Sequence, residues 1–132
     1  MRSIPSRGAE HDRGSAAVEF VLVGTLVVLI GLAVLQLVLA LHVRNILVSS
    51  AYEGARHGAR ADRTLDDGVA RSEEVARSAL GNREILARAS RDSVDGAGVV
   101  VVTLEAAVPI VGLWGPGTMR VEARAFDEAS DG

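Results

Sequence analysis

The sequence predicts an α+β chain: a single long N-terminal transmembrane helix that extends out of the membrane, followed by a small antiparallel β-hairpin or three-stranded sheet. Two observations lead there. Phe20 to Leu41 is an unbroken 22-residue stretch without a charge, and 16 of its members are Phe, Val, Leu or Ile. Far downstream, four consecutive valines at 99–102 and a period-two alternation at 118–126 mark β-structure. The expected organisation is a leader (1–14), a transmembrane helix (15–41), a Gly/Ala/Arg-rich helical extension (42–61), an amphipathic helix (62–83) and a β-rich region (84–132).

The apolar stretch sets the scale. At about 1.5 Å per residue it extends roughly 33 Å as a helix, the depth of a bilayer's hydrocarbon layer. Each strongly apolar side chain favours insertion by a few tenths of a kcal/mol, which together outweigh Gly24, Thr25, Gly31 and Gln36. As the buried helix of a water-soluble domain it would need cover on every side, and the 91 residues that follow contain no second long apolar segment. A secretory signal released after Ala40 is the competing reading. Against it stand an apolar region longer than the usual 7 to 15 residues and an acid, Glu19, at its start. Arg2, Arg7 and Arg13 before the span are balanced by Arg44, Arg56, Arg60 and Arg63 after it, so charge leaves the orientation open.

Composition removes several classes of function. The chain's 132 residues are too few for a multidomain enzyme. Without cysteine there is neither a disulfide framework nor a thiolate metal site. Fourteen arginines against 17 acids give a net charge of −3, the wrong balance for a nucleic-acid reader. His11, His42 and His57 are scattered, and no zinc motif, nucleophile elbow or P-loop occurs. No enzyme, no cofactor and no metal centre is expected.

The most informative residues are Arg13-Gly14-Ser15-Ala16-Ala17-Val18-Glu19-Phe20. A short hydrophilic leader ends at a glycine, and a lone carboxylate follows five residues later at the edge of the apolar run. Such an acid is costly in hydrocarbon unless it stays in the headgroup layer or meets a partner. A place in the first turn of the helix, where the macrodipole favours negative charge, also accounts for it. The segment resembles the processing motif of type IV prepilin-like proteins, and more closely that of the TadE-type pseudopilins of the tight-adherence (Flp) pilus system.

The resemblance implies cleavage by a membrane-embedded prepilin peptidase between Gly14 and Ser15, with Glu19 and Phe20 as the acid and aromatic of the mature N-terminus. The new amine at Ser15, positive near pH 7, would offset the carboxylate. It further implies a cytoplasmic leader, an extracytoplasmic region from His42 onward, and work beside other pilins, pseudopilins and assembly-platform proteins in the lipid bilayer. An unprocessed membrane-anchored interaction module and a secreted binding domain are the alternatives.

Beyond the span, family members carry an Ala-, Gly- and Arg-rich segment, matched here by 51–60. Gly-Ala-Arg recurs four residues apart, so on a helix Gly54 and Gly58 share one face and Arg56 and Arg60 another. Two glycines weaken a helix by about 1 kcal/mol each, which argues that they serve a close packing face. A long linker between this helix and the strands departs from the family pattern.

Within that linker, Thr64 and Asp67 form a helix cap, Leu65, Val69, Ala76 and Leu80 recur at helical spacing, and Gly81-Asn82 is the stop. Ile85, Ala87 and Ala89 alternate with polar neighbours, compatible with a short strand or a helix. Asp95-Gly96 is a turn, Val99–Val108 the clearest strand, and Gly115-Pro116-Gly117 a second turn. Pro109 is expected at the strand's end. Ile110, Val111, Leu113 and Trp114 are expected in an apolar loop, either as core cover or as a contact for a partner or membrane.

Overall fold

A computed structural model describes residues 8–108 and 117–128. The expectations for residues 1–7 of the leader, Pro109, the loop of Ile110, Val111, Leu113 and Trp114, and the Gly115-Pro116 turn lie outside the described residues. The elements are α1 (Gly8–Gly58), α2 (Leu65–Leu80), β1 (Ile85–Val94), β2 (Ala97–Val108) and β3 (Gly117–Phe126). The fold is α+β, with three strands rather than a lone hairpin. The chain divides into two compact units, Met1–Leu37 and Val38–Gly132, and α1 contributes to both.

Between Val18 and Leu41 every large apolar side chain is 44% to 80% exposed. This stretch is apolar all round, which suits lipid and not water. It lies in a helix long and apolar enough to cross a membrane. Thr25 satisfies its hydroxyl inside the helix by donating to the Val21 carbonyl at 2.7 Å.

In the second unit α1 changes character. Val43, Leu47, Ala51, Ala55 and Ala59 recur every four residues and are all buried, with Ser50 and Gly54 beside them. They join the inner face of the sheet in one core: Ile85 from β1, Val100, Val102, Leu104, Ala106 and Val108 from β2, and Val121 from β3. α2 covers this core with a line of small residues, Gly68, Ser72 and Ala76. Its expected stripe is only half-buried at Leu65, Val69 and Leu80.

Capping is local chemistry. The Thr64 hydroxyl accepts from the Asp67 N–H at 3.2 Å, and the Asp67 carboxylate accepts from the Thr64 N–H at 2.9 Å. That backbone hydrogen bond, with the Thr64 hydroxyl next, holds the Asp67 carboxyl below its ordinary range. Gly81, at φ 73°, closes the helix.

The sheet is a meander in the order β1-β2-β3, antiparallel throughout. Asp95 (φ 52°) and Gly96 (φ 84°) connect Val94 to its partner Ala97. Two positive φ values in a two-residue loop are the signature of a type I′ turn, whose twist matches that of the strands. β1, which the sequence left open between strand and helix, is a ten-residue strand because β2 offers it a full ladder. On the outer face Val99 lies between Asp92 and Phe126, and Val101 between Ser90 and Arg124. These flanks keep both valines buried on the wetter side.

Candidate processing site and helix crossing

Gly14, Ser15, Glu19 and Phe20 all lie on α1, and the described side chains among them are exposed. Nothing lies within 4 Å of the position where Gly14 would carry a Cβ, and the Phe20 ring is 80% exposed. Ser15 and Glu19, four residues apart, share one face of the helix. Because α1 starts at Gly8, Glu19 is in its fourth turn and not the first. The macrodipole explanation for the acid therefore fails for the uncut chain, since that field fades within a turn of the end. The bond between Gly14 and Ser15 is inside the helix, so an enzyme that cuts it has to unwind the turns around it.

Gly54 and Gly58 face α2. A Cβ on Gly54 would stand 2.5 Å from the Ser72 Cβ and 2.7 Å from the Gly68 carbonyl oxygen. One on Gly58 would stand 3.3 Å from the Gly68 Cα, and one on Gly68 only 2.8 Å from the Gly54 carbonyl oxygen. Three glycines thus let two helix backbones touch. Ser50 and Ser72, both fully buried, return their hydroxyls to the Ile46 and Val69 carbonyls at 2.8 Å, so no polar atom is left bare at the crossing. Arg71 of α2 lies 3.5 Å from Glu53 of α1 at its solvent margin, a pair too exposed to decide stability.

Gly68 and Ser72 were not singled out from the sequence. The clue was there: Gly68, Ser72 and Ala76 follow one another at intervals of four, the counterpart of the small-residue line on α1. Arg60 lies past the end of α1 at Gly58 and so does not continue the helical face of Arg56, although the two side chains line one groove. The Ala59 carbonyl accepts the Glu128 N–H at 2.8 Å, and Arg63 N–H turns to the Arg60 carbonyl instead. Among the described residues no group of three or more His, Cys, Asp or Glu side chains is placed to hold a metal.

Comparison with curated proteins and with solved structures gives no match. The family described as TadE-like protein matches residues 14–56, a segment that opens at Gly14, takes in Glu19, Phe20 and the whole apolar stretch, and ends two residues past Gly54. Over that segment the chain is similar to the TadE-like family, the family that its Gly14–Phe20 motif resembles.

Proposed function

We propose that this protein is a single-pass membrane pseudopilin-like component or assembly factor of a tight-adherence pilus apparatus, and a prepilin-peptidase substrate rather than an enzyme. The observation that carries the reading is the coincidence of the TadE-like match with an exposed, all-apolar helix directly behind Gly14-Ser15 and Glu19-Phe20. Cleavage after Gly14 would bring Glu19 from the fourth helical turn to within about one turn of the new helix end. There the carboxylate gains both the helix N-terminus and the new amine of Ser15. The cut thus converts a poorly placed acid into a stabilised one. Other pilins and pseudopilins and the assembly platform are the partners of this reading, with the leader in the cytoplasm and the remainder outside.

N-terminal mass spectrometry of the protein from membranes of a host with the peptidase tests it. A mature chain starting at Ser15 is the expected result, and Gly14→Leu should keep the leader. An intact leader in the unaltered protein overturns the processing claim and leaves a plain membrane anchor. Appearance of a chain starting at Leu41 in the soluble exported fraction would support the secreted domain instead.

A further inference from the structure

The free edge of β3 borders a groove rich in arginine. The Asp127 N–H donates to the Gly98 carbonyl at 2.8 Å, and the register then runs unbroken from Phe126 opposite Val99 to Gly117 opposite Val108. Hydrogen-bonded pairs alternate along an antiparallel ladder. The odd residues of β3 therefore bond to β2, and the N–H and C=O groups of Thr118, Arg120, Glu122, Arg124 and Phe126 point outward. Among the described residues no backbone group bonds to this edge. It is ten residues long, unbulged and free of proline, the kind of edge that accepts another strand.

The C-terminal half of that edge shares a groove with the end of α1. Tyr52, Arg56, Arg60, Arg124, Phe126 and Glu128 line it. Three guanidinium groups meet one carboxylate there, in a chain whose net charge is −3. Arg124 is engaged by Glu122 at 2.8 Å. The Arg56 guanidinium lies 5.8 Å from the centre of the Tyr52 ring, and neither Arg56 nor Arg60 is paired with a carboxylate among the described residues.

We propose that this groove binds an extended acidic segment of a partner protein, which adds to the sheet as a fourth strand along β3. The outward backbone groups supply main-chain hydrogen bonds, the part of strand addition that is blind to sequence. Arg56 and Arg60 select acidic side chains from the helix side, and the exposed rings of Tyr52 and Phe126 take up their apolar stems. The proposal concerns the second unit alone and does not depend on processing at Gly14.

The test uses the full chain in detergent micelles and a fluorescein-labelled ten-residue peptide in which glutamate alternates with valine and threonine. Fluorescence anisotropy should show saturable binding, weakened about tenfold by Arg56→Glu with Arg60→Glu. Methylation of alternate peptide nitrogens should abolish binding, and a lysine version of the peptide should bind the reversed variant in preference to the unaltered protein. Unchanged hydrogen exchange across α2 in the variant shows that its fold is intact. Equal binding of glutamate and lysine peptides, indifference to methylation, or no binding overturns the proposal. So does binding of inorganic phosphate in the groove without binding of the peptide, or closure of the edge by a second copy of β3.

Discussion

Gly54→Ala probes the crossing of α1 and α2 with a single methyl group. Its Cβ would be 2.5 Å from one carbon and 2.7 Å from a backbone oxygen, where contact normally begins near 3.5 Å. The two helices must separate by about 1 Å, and overpacking of this kind costs about 1–3 kcal/mol. Alanine recovers about 1 kcal/mol of helix propensity. Because both obstructing atoms belong to or adjoin helix backbone, the upper part of the range applies, and the net loss is about 1.5 kcal/mol. Hydrogen exchange of the α2 amides reads this locally, and a loss of that size speeds exchange about tenfold.

The order of variants is the sharper test. Gly68→Ala meets the Gly54 oxygen at 2.8 Å and should resemble Gly54→Ala, whereas Gly58→Ala meets nothing closer than 3.3 Å and should cost less. Gly24→Ala, with nothing within 4 Å, should leave α2 unaffected. Full α2 protection in Gly54→Ala, or equal effects at positions 54 and 24, would refute the close crossing.

Thr64→Ala removes a helix cap and should destabilise α2 by about 1 kcal/mol in the same exchange measurement. The folded Asp67 carboxyl binds its proton less readily than the unfolded one. Its stabilising effect is complete above the ordinary value of 3.8 and is lost as pH falls through the lower folded value, so acid unfolding should lose that component in Asp67→Asn. Gly96→Val forces a β-branched residue to φ 84° with no steric neighbour, and the backbone term alone should cost about 1–2 kcal/mol, visible as faster exchange in β1 and β2. Leu104→Ala opens a cavity at a fully buried position and should cost about 2–5 kcal/mol, read as a lower denaturation midpoint.

What was legible in the sequence was what nearby residues decide. Thr64 and Asp67 are three apart and make their cap with no help from the rest of the chain. Asp95-Gly96 sets the register of β1 on β2 through its own φ values. The end of α1 was less legible: just past it the Ala59 carbonyl accepts the Glu128 N–H from the far end of the sheet, a contact that no nearby residue announces. The partner of Gly54 and Gly58 was hidden for a similar reason. Gly68 and Ser72 look like helix-weakening residues until a second small-residue line is placed opposite them. The apolar stripe expected in α2 does meet the core, with Ala76 buried and Leu65 and Leu80 packed against it, but it does not reveal the crossing with α1, where closeness comes from lack of bulk.

The glycines of α1 show how surroundings, and not residue type, assign a role. Gly24 and Gly31 stand in open space within a stretch whose every large apolar side chain is exposed, while Gly54 and Gly58 touch another helix. The transition falls between Leu41, half-exposed, and Val43, buried, with no break in the helix. Before it, stability depends on a surrounding medium that tolerates apolar surface in every direction. After it, one face is enough, because the sheet and α2 supply cover. A polar residue in place of Leu29 and one in place of Leu47 are therefore different experiments. The first alters affinity for lipid and should leave α2 protected, whereas the second puts a polar group into a fully buried site and should expose it.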